Sequence, residues 1–114
     1  MNRRRSKTKA QTNHTARRLR ERYGLRYTQR LRDHATHHIR SGKAIFVVRQ
    51  SLRVTIWDVE YDVQERDIYD TSIAQEGIVV IRLVYDANRK NIVTALDTNM
   101  NPENPENLVN YEDS

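Results

Sequence analysis

"GIVVIRLVYDANRKNIVTAL", residues 77–96, decides the fold. Its first ten residues are β-branched and apolar, broken only by Arg82 and the terminal Asp86. "ANRK" is a polar turn, and "NIVTAL" (91–96) returns as a second strand, so the stretch reads as a hairpin. The first strand is apolar at odd and even positions alike. Alternate side chains point to opposite faces, so this strand is buried on both and belongs in the middle of a sheet.

A central strand needs a neighbour on its other side, and the sequence upstream supplies one. "AIFVV" (44–48) and "VTIWDVEY" (54–61) are strand-like, and "QSLR" (50–53) between them reads as a turn or a distortion. In the second of these the apolar phase switches from Val54 and Ile56 to Trp57, Val59 and Tyr61, which predicts a bulge or cover on both faces. "DVQERDIYDTSIAQE" (62–76) is polar and acidic. It reads as a loop longer than an ordinary hairpin connection, hence functional or mobile.

Before the strands the period changes to that of a helix. Thr15 is a plausible cap for "ARRLRERY", and Gly24 a stop. Tyr27, Leu31, Ala35, His38 and Ile39 recur at helical spacing, so a second helix runs from about Tyr27 to Arg40 and ends at Gly42. The predicted fold is α+β: two N-terminal helices packed on a four-stranded antiparallel sheet, residues 15–97. A disordered basic arm (1–14) and an acidic low-complexity tail (98–114, with overlapping "NPEN" repeats) flank it.

Charge divides the chain. Residues 1–53 hold 16 lysines and arginines against 2 acids, while residues 54–114 hold 4 against 13. A basic half of this density attracts polyanions, and nucleic acid is the commonest. Arg3, Arg4, Arg5, Lys7, Lys9, Arg17, Arg18, Arg30, Lys43 and Arg49 are the candidate contacts. RNA is the expected partner, or DNA, with a protein partner facing the acidic loop or tail. There is no apolar run long enough for a membrane span and no apolar stretch behind the first charged residues, so neither membrane insertion nor an ordinary secretory signal is expected. The chain has no cysteine, which fits a reducing cytoplasm.

"RDHATHHIRSGK" (32–43) gathers three of the four histidines. His34 and His38 stand at i, i+4 and could face one ion. However, no third ligand is evident, Ala35 follows where zinc proteases have glutamate, and the neighbouring arginines repel a cation, so no metal or other cofactor is expected. Imidazoles titrate near neutrality and can move protons in metal-free phosphodiester cleavage through an RNA 2′-hydroxyl. The plainer alternative is that His38 packs at the core edge and His37 is solvated. Arg82 must reach solvent, pair with an acid such as Glu60, or hold a ligand. An even-length hairpin turn would set Leu83 against Thr94, and a five-residue turn would set Arg82 against Thr94. Arg49 and Arg53 flank the first strand junction, where they could grip a phosphate or simply be solvated.

"HATHHIRSGKA" (34–44), a strand pair and then "IRLVYDANRKNIVTAL" (81–96) resemble the small RelE-like nuclease superfamily, with its barnase-like, EndoU-like and colicin-nuclease-like branches. The resemblance covers about residues 27–97. It implies helices before a twisted antiparallel sheet and a metal-independent endoribonuclease of toxin-like or phage type. By the same resemblance His34 is the acid–base group, Arg53 and Arg82 hold phosphate, and Thr94 and Tyr85 complete the catalytic set. The alternative is a non-catalytic nucleic-acid-binding or virion assembly protein using the basic half.

Overall fold

A computed structural model describes residues 3–98, with side chains described from Lys9 onward. The order is α1 (Arg3–Tyr23), α2 (Gln29–Ser41), β1 (Ile45–Arg49), β2 (Val54–Val63), β3 (Gly77–Asp86) and β4 (Asn91–Leu96). The four strands form one antiparallel meander in sequence order, so β2 and β3 are central. This is the α+β arrangement expected. No described helix is long and apolar enough to cross a membrane. The acidic stretch after Thr98 lies outside the described residues.

Alternation along the strands splits the sheet into two faces. Val59, Tyr61, Val63, Ile81, Leu83, Tyr85, Ile92 and Ala95 form the main core with Leu19, Leu25, Leu31, Ala35 and Ile39 from the helical segment. Val54, Ile56, Val84, Val93 and Leu96 form a smaller cluster with Val47 and Val48. β3 contributes to both clusters, as its two-faced apolar pattern requires.

α2 forms where its period predicts. Thr28 caps it by accepting the Leu31 amide at 3.1 Å, and Gly42 ends it in the left-handed region at φ 78°. Leu31, Ala35 and Ile39 face the sheet, and burying each of the two larger side chains contributes about 2 kcal/mol.

α1 departs from expectation. It starts at Arg3, not after Thr15, and residues 9–14, read as part of an arm, are helical with Gln11 buried. The reason is polar docking, which hydrophobic periodicity cannot detect. The helix lies along β4, with Thr15 Oγ1 3.0 Å from the Ile92 carbonyl and Asn91 Nδ2 donating to Gln11 Oε1 at 3.4 Å. Arg22 donates to the Ala95 carbonyl at 3.0 Å and the Tyr23 hydroxyl to that of Leu96 at 2.5 Å. An edge strand leaves a row of unpaired backbone groups, and side chains of α1 take the Ile92 and Ala95 carbonyls of β4.

Of the two readings of the β2 phase switch, cover on both faces holds, because Val54 and Ile56 enter the smaller cluster and Val59, Tyr61 and Val63 the main core. β2 pairs without interruption from Val54 to Val63, and the irregularity lies in β1 between Phe46 and Val48. A second irregularity, between Val84 and Tyr85, sets the hairpin register. Tyr85 pairs with Ile92, but Val84 pairs with Thr94 and Arg82 with Leu96. Neither uniform register considered for the hairpin describes it, because one extra residue on β4 shifts the pairing part-way along.

The long segment after β2 is anchored. A 3-10 turn, Glu65–Asp67, is followed by a bridge between Ile68 and Leu25. Gly24, at φ 66°, accepts the amides of Tyr69 and Asp70, and a Cβ on it would lie 2.7 Å from the Asp70 carbonyl oxygen. Only glycine suits both that backbone conformation and that approach.

Candidate nucleic-acid interface

The flank of α2 facing β2 is a closed polar network. The fully buried Asp67 carboxylate accepts three donors: Thr28 Oγ1 at 3.1 Å, Arg30 Nη1 at 2.8 Å and the Gln64 amide at 2.8 Å. Arg30 also donates to the Tyr61 hydroxyl at 2.6 Å and to the Asp62 carbonyl at 2.9 Å. Burial pushes the Tyr61 phenol up. Arg30 was a nucleic-acid candidate, yet its guanidinium spends most of its donors on the protein.

The histidines sit beside this network. His34 Nε2 lies 2.7 Å from the Glu60 carbonyl, so that nitrogen carries the proton and donates. Its ring stacks on His38 with centroids 4.0 Å apart and meets Tyr61 edge-on at 5.3 Å. Desolvation, then His34 and Lys43, hold the His38 imidazole below its ordinary value. Among the described residues no three His, Cys, Asp or Glu side chains cluster to share an ion.

The five residues assigned to catalysis do not meet at one point. Arg82 and Asp58 are directly paired across β3 and β2, and the guanidinium grips the carboxylate through Nε at 2.8 Å and Nη2 at 2.9 Å. The acid is Asp58 rather than Glu60 because the register puts Asp58 opposite Arg82. Thr94 is buried opposite Val84. Arg53 lies at the β1–β2 turn, 3.9 Å from Asp86. Tyr85 is in the core on the helix side, its phenol raised by burial, and His34 is on α2. The sheet separates His34 and Tyr85 from Arg82 and Thr94.

The proposed nucleic-acid contacts divide as well. Arg3, Arg4, Arg5 and Lys7 lie on α1 before the described side chains. Lys9 is exposed. Arg17 and Arg18 pair with Glu21 at 3.6 and 3.0 Å. Arg49 donates to the Leu52 carbonyl at 2.7 Å. Lys43 is exposed just past α2.

The opposite flank of α2 carries what sequence reasoning missed. Arg32, Thr36, His37, Arg40 and Ser41 line an open groove of about 800 Å³ with Lys90 from the β3–β4 turn. Lys90 is held at φ 51°, and Asp86 fixes the turn before it by accepting the Asn88 and Arg89 amides at 2.9 and 3.3 Å. Asp33, the one acid lining this groove, accepts the Gln29 amide at 2.7 Å. Among the described residues no ion pair engages Arg32, Arg40 or Lys90. The i, i+4, i+8 stripe of Arg32, Thr36 and Arg40 was visible in the sequence; the convergence of Lys90 on it was not. Comparison with protein-family models, curated proteins and solved structures finds no match.

Proposed function

We propose that the protein is a nucleic-acid-binding protein that grips the phosphate backbone along the outer flank of α2. One observation carries the reading: Arg32, Arg40 and Lys90 converge on a single open groove without an acid partner, beside His37 and two hydroxyls. Uncommitted cations spaced along a helix, with hydroxyl donors between them, suit a row of phosphates. They carry no base readout, so binding is expected to be weakly sequence-dependent. The basic N-terminal half supplies further attraction. This reading fits a cytoplasmic nucleic-acid or virion assembly protein whose acidic half would face a protein partner.

The test is fluorescence anisotropy of labelled single-stranded RNA and duplex DNA across a salt series. Replacing Arg32, Arg40 and Lys90 by alanine should lower the slope of log K against log salt by about 2 on single strands and nearer 3 on duplex. An unchanged slope would remove the groove from the binding surface.

A second reading, a metal-independent endoribonuclease of RelE-like type, has its own support. The His34–His38 stack beside Arg30 and Tyr61 joins proton-transfer groups to a cation in one place. Cleavage of end-labelled RNA in EDTA, abolished by His34→Ala and His38→Ala, would favour it. Intact RNA would leave the binding reading alone.

A further inference from the structure

Away from the α2 groove, three residues distant in sequence meet where the end of α1 touches the segment after β2. Tyr69 is 54% exposed, while the other described tyrosines are buried or half-buried. The guanidinium carbons of Arg20 and Arg26 each stand 5.5 Å from the centre of its ring, within the range of a cation–π contact. Arg20 belongs to α1, Arg26 to the turn after it, and Tyr69 to the acidic connection between β2 and β3. The backbone fixes this meeting. The Tyr69 amide donates to the Gly24 carbonyl at 2.8 Å, and the Leu25–Ile68 bridge ties the two segments together. The Arg26 amide donates to the Asp67 carbonyl at 2.7 Å and its Nε to the Ile68 carbonyl at 3.3 Å.

The cluster lacks an anion. Among the described residues no ion pair engages Arg20 or Arg26. Asp70, the next residue along, is taken by its own turn: its carboxylate accepts the Ser72 amide at 2.9 Å and the Ser72 hydroxyl at 2.6 Å. Two like charges beside one exposed ring repel each other, and an exposed cation–π contact is weak. The ring by itself therefore does not account for both arginines.

We propose that Arg20, Arg26 and Tyr69 form a nucleotide clamp for single-stranded nucleic acid, in which an unpaired base stacks on the Tyr69 ring and the arginines take its flanking phosphates. This rests on the nucleic-acid-binding reading, adds a contact outside the α2 groove, and names the form of the ligand. Base stacking on an aromatic ring outweighs an exposed cation–π contact, so the base displaces a guanidinium from the ring and turns it toward a phosphate. In a duplex the faces of each base are covered by its neighbours, so only a single strand, a loop or an end can enter. Every base has a π-face, so the clamp is tolerant of sequence.

The test measures the affinity of the full chain for a short labelled single-stranded RNA and for the blunt duplex of the same sequence. Tyr69→Ala should weaken single-strand binding roughly tenfold and leave duplex binding unchanged. Tyr69→Phe, which keeps the ring, should bind like the unmodified chain. Tyr69→Leu, which keeps apolar bulk without a π-face, should behave as alanine, and this pair carries the comparison if circular dichroism shows that alanine disturbs the fold. Arg20→Gln together with Arg26→Gln should lower the single-strand slope of log K against log salt by about 1.4, a slope that Tyr69→Leu leaves unchanged. Equal losses on single strand and duplex, leucine binding as tightly as phenylalanine, or a salt slope unmoved by the arginine pair would overturn the clamp. Replacing Arg32, Arg40 and Lys90 by alanine separates the two sites. Loss of binding in that variant alone overturns the clamp and keeps the groove, whereas loss in Tyr69→Leu alone keeps the clamp and removes the groove. An unmodified chain that binds neither probe overturns both.

Discussion

Removing the carboxylate of Asp67 is the most informative single perturbation of this fold. It is fully buried, and all three of its partners are donors: Thr28 Oγ1, Arg30 Nη1 and the Gln64 amide. Two of them share Oδ2, and Thr28 alone uses Oδ1. Alanine therefore strands the Gln64 amide and the Thr28 hydroxyl. A hydrogen bond to a charged acceptor is worth about 1.5–3 kcal/mol, and these two part-buried bonds belong near the lower end of that range. Arg30 is discounted, because its side chain is 39% exposed and keeps Tyr61 and the Asp62 carbonyl. The expected cost of Asp67→Ala is about 3–4 kcal/mol, a large share of the 5–15 typical for a domain. Asparagine should be milder. Its one carbonyl oxygen can take the Oδ2 position and keep two donors, while the Thr28 hydroxyl rotates to accept from the amide nitrogen. The expected cost of Asp67→Asn is about 1–2 kcal/mol. Urea unfolding followed by far-ultraviolet circular dichroism measures both. With a typical slope near 1.5 kcal/mol per molar, alanine should lower the midpoint by roughly 2 M at unchanged slope. A loss below about 1 kcal/mol for alanine, or an equal loss for asparagine, would refute the donor count.

Tyr23→Phe removes the hydroxyl bridging the Arg82 amide and the Leu96 carbonyl, a phenol that burial pushes up to about 12. It should cost about 1–3 kcal/mol and speed exchange of the Arg82 amide, and an unchanged exchange rate would count against that bridge. A double-mutant cycle of Asp58→Ala and Arg82→Ala should give a coupling of about 1–3 kcal/mol, since the paired side chains are only 17% and 14% exposed; near-zero coupling would return Arg82 to the pool of available cations. Desolvation leads in holding both His14 and His38 below the ordinary imidazole value. The unfolded chain then binds protons more readily than the folded one, so stability should fall as pH drops through about 6.5 and level off below the folded values. Urea midpoints that stay flat across that window, or that His38→Gln does not flatten, would contradict this.

The sequence alone determined the parts whose physics is local. Apolar residues at odd and even positions alike, followed by a polar turn and a second apolar run, fixed a central strand and its hairpin partner, because successive side chains on a strand point to opposite faces. Helical spacing of Leu31, Ala35 and Ile39 and a terminal glycine fixed α2, while its Thr28 cap emerged only in the fold. The charge division followed from composition. Tertiary structure decided whatever depended on which residues meet. α1 is held to β4 by Gln11, Thr15, Arg22 and Tyr23, polar contacts that leave no apolar period to read. The hairpin register depends on an irregularity at Val84/Tyr85, and that register sends Arg82 to Asp58 and Thr94 opposite Val84. Cations alike in sequence become unlike in the fold. Arg30 and Arg82 are engaged by acids distant in the chain, while Arg32 and Arg40 line the open groove with Lys90 and make no ion pair among the described residues. A side chain's type is written locally, but its partners are set by the path of the whole chain, and the partners decide what charge is left to act.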